Sequence, residues 1–225
     1  MLGGFDVLQE PDVIDSNLLL KELEEQRILI SFSNVADVGG GIGRVVKHVL
    51  LKRFDKVDLV EPSPRLLASA PSYLATNDCS LEEEEEGDEE KVGCDKSSTS
   101  WDKDEINSKV TFTNQGLQDW SPIEGTYDLI WAQWSIVYLH DADLISFLQR
   151  CKQALKEGGV VVIKENTTDE DMGFMVDKDD ASLIRSPAYF NTLFSIAGFT
   201  TIIEKSQLGF PSELYTVKMF VLKNL

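Results

Sequence analysis

The stretch Asp37-Val38-Gly39-Gly40-Gly41-Ile42-Gly43-Arg44 does most to limit what this chain can fold into. An apolar run, Val35 to Val38, precedes the glycines, and Val45, Val46, Val49 and Leu50 follow at helical spacing. A strand that ends in packed glycines and opens into a helix lets bare backbone approach a ligand. A second apolar run, Val57 to Val60, ends in Glu61, 17 residues past Arg44. An acid closing the next strand can hold two ribose hydroxyls, so the layout is that of a nucleoside pocket. Dinucleotide enzymes place their glycines as G-x-G-x-x-G. Here they fall as G-x-G-x-G, with Arg44 where the last would stand. A guanidinium grips a carboxylate in a two-point fork, which suits S-adenosylmethionine, with its amino-acid end, better than a pyrophosphate.

Aliphatic strands alternate with helical patterns along most of the 225 residues, so one α/β domain over 1–225 is expected. The net charge of −18 is uneven. Between Asp78 and Ser108, 13 acids stand against three lysines, a net −10. Such a run repels itself and buries little, so a disordered acidic insertion is expected at about 77–109. The remaining acidity argues against nucleic acid as a ligand and for a basic one. Cys79, Cys94 and Cys151 form no metal spacing and leave one thiol unpaired, which suits a reducing compartment. No metal is expected. No apolar run reaches the roughly 18 residues of a membrane span, and the start has neither a basic nor an apolar leader region. The expectation is a soluble protein of the cytoplasm or nucleus, with no membrane partner.

Further along, Asp15 or Ser16 is read as the cap of a first helix, and Arg44 to Phe54 as the helix behind the glycines. Pro62-Ser63-Pro64 opens another helix. Tyr127 to Gln133 is nearly all apolar, as a central parallel strand is. Asp141 to Leu155 reads as a helix and Val160 to Lys164 as a strand. A polar stretch runs on to Ile184, and Thr200 to Glu204 with Tyr215 to Leu222 form a closing antiparallel hairpin. This is the arrangement of a class I S-adenosylmethionine-dependent methyltransferase: Rossmann-like, with a mostly parallel seven-stranded sheet.

Several blocks then carry a specific resemblance: Met1-Leu2-Gly3-Gly4, the glycine turn, Val57-Asp58-Leu59-Val60-Glu61-Pro62, Gly116-Leu117-Gln118-Asp119, Trp131-Ala132-Gln133-Trp134, Ile163-Lys164-Glu165-Asn166, Asp177-Lys178-Asp179-Asp180 and Glu213-Leu214-Tyr215. The chain resembles the protein α-N-methyltransferases, which methylate the exposed amine of proteins beginning Xaa-Pro-Lys/Arg. The resemblance implies a cofactor site of Gly39, Arg44, Glu61, Pro62, Ser63, Leu117, Gln118 and Gln133. It implies a substrate channel from Leu2, Gly3, Trp134, Asp177, Glu213, Leu214 and Tyr215, with Asp177 pairing the basic third residue. Asp180 matches the family's catalytic aspartate and Asn166 its amine-orienting asparagine. Read without the family, Asp169 to Asp180 is a solvated acidic loop.

Two departures stand out. Tyr138 occupies the place of a histidine thought to help with the proton, and His140 reads as a lone surface histidine. Family members also carry a lid helix ahead of the Met-Leu-Gly-Gly segment, which Met1 opens here; the chain is then either a short form or an incomplete sequence. Two other readings stay open: a lidless pseudoenzyme acting as partner of a longer relative, and a small-molecule N-methyltransferase.

Overall fold

The computed structural model describes residues 6–76 and 101–225. In chain order its main elements are α1 (Gln9–Glu25), β1 (Asn34–Val38), β2 (Lys56–Val60), α2 (Pro64–Ala75), α3 (Lys103–Lys109), β3 (Val110–Thr113), β4 (Tyr127–Gln133), α4 (Asp141–Ala154), β5 (Leu155–Thr167), β6 (Phe174–Val176), β7 (Leu183–Arg185), α5 (Pro187–Ile196), β8 (Phe199–Ser206) and β9 (Thr216–Asn224). Strands β3-β2-β1-β4-β5 run parallel in that order; β9 lies antiparallel to β5, and β8 antiparallel to β9. These seven are the expected sheet with its terminal hairpin. The strand order reverses between β1 and β4, and a doubly wound sheet binds its ligand at the carboxyl ends of such a pair.

Every residue of β4 is buried, because apolar layers cover both faces. Ile130 joins the layer built by Phe147 and Leu148 of α4 with Phe190 and Phe194 of α5. Leu129 and Trp131 join the opposite layer, with Leu19, Leu20 and Leu23 of α1, Val49 and Leu50 behind the glycines, and Ile106 of α3. The two layers clamp the sheet, so the carboxyl ends of β1, β2 and β4 form a rigid rim.

Four expectations need correction. Helix α1 starts at Gln9, and Ser16 is buried inside it, its hydroxyl donating to the Asp12 carbonyl at 2.7 Å. Polar residues on the inner face imitate a cap in the sequence. Behind the glycines the helix is short and widens, with the Leu51 amide donating to the Val46 carbonyl five residues back at 2.9 Å. Such π turns recur next to functional sites.

Helix α3 falls within the 77–109 range expected to be a disordered insertion, so that expectation does not hold for Lys103–Lys109. Asp102 and Glu105 form a reciprocal capping box (2.7 and 3.1 Å), and Ile106 and Trp101 pack into the layer with α1. These two acids do not simply repel; they satisfy helix amides. Residues 77–100 of the expected insertion lie outside the described residues. The polar stretch before Ile184, finally, contains the β6–β7 hairpin, joined to the end of β5 where Thr167 pairs with Arg185.

Candidate functional site

The rim is built around bare backbone. A Cβ on Gly40 would lie 2.4 Å from both Asp37 Oδ2 and Leu59 Cδ1, so only glycine lets the turn sit against β2. Gly41 has φ +60°, and a Cβ there would meet nothing within 4 Å, so this turn faces open space. Glu61, buried at the end of β2, accepts the Gly41 amide on Oε2 at 3.0 Å and the Ser63 amide on Oε1 at 2.8 Å. One carboxylate therefore ties the glycine turn to the start of α2 and keeps lone pairs for further donors.

Two hollows share Gly39 and Trp134 as a common wall. The larger, about 350 Å³, is lined by Glu61, Pro62, Leu117, Gln118, Ser135, Tyr138 and Leu139. Apolar walls with a few polar groups suit a nucleoside. The smaller, about 150 Å³, is lined by Asp37, the three successive glycines, Arg44, Gln133 and others, and it suits an amino-acid end. The two hollows contain seven of the eight expected cofactor residues. Ser63 lines neither, because it caps α2, its hydroxyl accepting the Leu66 amide at 3.4 Å.

The sequence reading missed Asp37 as a site residue. Its carboxylate is buried, and Oδ2 has no hydrogen-bond partner. Burial pushes the carboxyl up to about 7, against the pull of Arg44 and with some help from Glu61. An orphaned acid lining the smaller hollow suits an ammonium group, so these residues fit S-adenosylmethionine.

A pH dependence follows. In the ligand-free fold this raised pKa stabilises most below about pH 4, and that contribution is lost as pH rises through about 7. A bound ammonium reverses the preference by favouring the carboxylate. Calorimetry should show S-adenosylhomocysteine affinity rising by about three- to tenfold from pH 6 to pH 8, with proton release, and Asp37→Asn should flatten the profile. An unchanged slope in the variant would assign the titration to another group.

Arg44 is not simply open to the hollow. Its Nη1 donates to Asp12 Oδ2 at 2.6 Å, and its guanidinium carbon lies 5.4 Å from the centroid of the Trp134 ring. Gln133 donates to Asp12 Oδ1 at 2.8 Å, and its carbonyl accepts from Trp131 Nε1 at 3.0 Å. Asp12 carried no mark in the sequence reading, and Asp37 and Lys164 stood in its motifs without a site role. The signal for Asp12 was its place on the apolar stripe of Ser16, Leu19, Leu20 and Leu23, where a charge needs a partner.

On the substrate side, the β6–β7 turn presents the acids. Asp180 is exposed; its Oδ1 accepts the Ser182 amide at 2.9 Å, and its Oδ2 accepts the Tyr138 hydroxyl at 3.1 Å. Hydrogen bonds from Ser182 hold its carboxyl below the usual carboxylate range. Burial and Asp180 both raise the Tyr138 phenol, so it stays a donor near neutrality. The Tyr215 hydroxyl stands 3.5 Å from Asp177 Oδ2.

Asn166 is half-buried near the end of β5, and its side chain has no hydrogen-bond partner among the described residues. Beside it Glu165 is fully buried and pushed up to about 8 by desolvation, so it does not compete with Asp180 as an anion. Trp134 holds φ +50° at the end of β4 and stacks on Phe210 at 6.4 Å. Phe210 belongs to the 207–215 loop, which also carries the exposed Glu213 and the half-buried Leu214. That loop is tied to α1, with the Leu208 amide and Gln207 Nε2 donating to Asp15 Oδ2 at 2.6 and 2.8 Å. Leu2 and Gly3 lie outside the described residues. His140 is exposed at the head of α4.

Comparison with known proteins agrees with this geometry. Residues 1–223 match the model of a family described as AdoMet dependent proline di-methyltransferase. The chain is 36% identical to alpha N-terminal protein methyltransferase 1 of Arabidopsis thaliana, over 99% of this chain and 72% of that protein. It is 34% identical to N-terminal Xaa-Pro-Lys N-methyltransferase 1 of Mus musculus, over 99% and 87%. A SAM-dependent methyltransferase of Leishmania major superposes with a TM-score of 0.78 at 30% identity, over 99% of this chain and 75% of that one. A further S-adenosylmethionine-dependent methyltransferase, from Clostridium acetobutylicum, matches with a TM-score of 0.64 at 13% identity, over 99% and 93%, and shares the fold.

Proposed function

The chain belongs to the AdoMet-dependent proline di-methyltransferase family, and from that premise we propose how its residues methylate the α-amine of protein N-termini beginning Xaa-Pro-Lys or Xaa-Pro-Arg. The enzyme uses S-adenosylmethionine. The names of its relatives favour this reading over a pseudoenzyme or a small-molecule enzyme. When bound, the cofactor supplies a methyl group on a sulfonium. The chain has to hold the cofactor, align the amine in line with that methyl, and remove one proton.

The observation that carries the assignment of roles is the Tyr138–Asp180 hydrogen bond, because Tyr138 also lines the larger hollow beside Glu61 and Gln118. It sets a proton acceptor at the mouth of the cofactor cleft. An α-amine has a reference pKa of roughly 7.7 to 8.0, so part of it is protonated and unreactive at neutral pH. Asp180, held ionised, receives the proton and passes it to water at its exposed position. Tyr138 orients that carboxylate and does not act as the base. Asn166 orients the amine, and the Trp134 face receives the proline ring. Glu213, Leu214 and Tyr215 line the groove beyond, and Asp177 pairs with the basic third residue. The acidic balance of the chain supports such basic N-termini as partners. A cytoplasmic or nuclear setting is part of the same proposal, supported by the three-cysteine count.

The test compares Ser-Pro-Lys and Ser-Pro-Leu peptides with the wild-type enzyme and Asp177→Asn. The substitution should raise KM for the lysine peptide by about three- to tenfold, the scale of a partly exposed ion pair, and leave the leucine peptide unchanged. Equal effects on both peptides would return the acidic turn to a solvated face.

A further inference from the structure

Two residues that face the cofactor's amino-acid end, Arg44 and Gln133, come from different parts of the sheet and meet at one carboxylate that lies outside the cleft lining. Asp12 of α1 is fully buried. Its Oδ2 accepts from Arg44 at 2.6 Å, and its Oδ1 from Gln133 at 2.8 Å and Lys164 at 2.5 Å. Arg44 follows the glycine turn, Gln133 ends β4 and Lys164 lies on β5, so three elements converge on α1.

We propose that Asp12 is a positioning residue of the cofactor site, fixing the Arg44 guanidinium and the Gln133 amide in the orientation that receives the cofactor's amino-acid end. The inference rests on the methyltransferase reading. Each donor has its freedom removed from two sides. The Gln133 amide is locked because Trp131 Nε1 occupies its carbonyl, which turns its NH₂ toward Asp12. Arg44 spends Nη1 on Asp12 and packs over the Trp134 ring, yet still lines the smaller hollow, so the rest of its fork remains for a carboxylate. The charges point the same way. Asp12 holds Arg44 and Lys164 together, while Asp37 faces Arg44 in the same hollow, so the lining offers both signs to a zwitterionic amino-acid end.

A blander account makes Asp12 only the counter-ion of Lys164. Lys164 is fully buried, and burial lowers its pKa against the raising effect of Asp12. Removing one partner of such a pair strands the other charge, so Asp12→Asn alone tests stability as much as binding. The decisive comparison therefore includes Asp12→Asn/Lys164→Met, which removes both charges, and Asp12→Glu, which keeps the charge and displaces the carboxylate by one methylene.

Calorimetry would measure S-adenosylhomocysteine and 5′-methylthioadenosine, which lacks the amino-acid end, alongside melting temperature. The double variant should regain the melting temperature that Asp12→Asn loses. Both it and Asp12→Glu should bind S-adenosylhomocysteine at least about tenfold more weakly than wild type, with 5′-methylthioadenosine changed less than about threefold, since one charged hydrogen-bond network is at stake. Wild-type affinity for S-adenosylhomocysteine in either variant would overturn the positioning role, and so would equal weakening of both ligands. Failure of the wild-type protein itself to bind S-adenosylhomocysteine would instead overturn the methyltransferase reading.

Discussion

Asp180→Asn is expected to lower turnover by about 10² to 10⁴, the usual span for general base catalysis, while peptide KM changes little. The side chain keeps its shape and its bond from the Ser182 amide, so the β6–β7 turn should persist. What is lost is the anion that Tyr138 orients and that the amine proton reaches. Asp180 is exposed and ionised well below neutrality, so its contribution should be flat across pH 6 to 9 and any rate rise there should track the substrate amine. Tyr138→His, which restores the residue that the resemblance implies, should raise turnover or leave it unchanged. A loss of less than fivefold for Asp180→Asn in single-turnover kinetics would move the proton to another acceptor.

Glu61→Ala should weaken S-adenosylhomocysteine binding by about 100-fold, roughly 2.7 kcal/mol. The size comes from a double role. Both oxygens already accept rim amides, from Gly41 and Ser63, and the ribose hydroxyls are expected on the remaining lone pairs. Alanine removes the ligand's acceptor and loosens the turn that shapes the hollow. Glu61→Gln keeps one oxygen and should fall between. Calorimetry decides: a change below fivefold, or tighter binding of a nicotinamide dinucleotide than of S-adenosylhomocysteine, would contradict the ribose assignment.

The cofactor rim was legible in the sequence because its logic is local. A strand, a glycine turn, an arginine and an acid ending the next strand lie within 28 residues, from Asn34 to Glu61, and each residue type has a backbone reason to be there. The partners of that rim were not legible. Arg44 is bound by Asp12 from 32 positions away, and Lys164 reaches the same carboxylate across more than half of the chain. Burial makes those contacts decisive, and no spacing rule encodes them.

The acidic turn did not show in the residue pattern itself, for a different reason. Strands β6 and β7 hold three residues each, too few for alternation to be read, and Phe174 and Val176 are exposed. Read without the family, Asp177, Asp179 and Asp180 are a solvated run; the resemblance alone gave Asp177 and Asp180 roles, and the hairpin sets Asp180 against Tyr138. At α3 the error ran the other way. A charge count grouped Asp102 and Glu105 with the acids before them, although their spacing is that of a capping box.

The most direct measurement is tandem mass spectrometry of a Ser-Pro-Lys peptide incubated with the enzyme and S-adenosylmethionine, beside the same peptide acetylated at its N-terminus. Methylation of the α-amine puts added methyl groups on the N-terminal fragment ion alone and none on the acetylated peptide. Methylation of the lysine side chain, or equal methylation of the blocked peptide, would contradict the α-amine assignment.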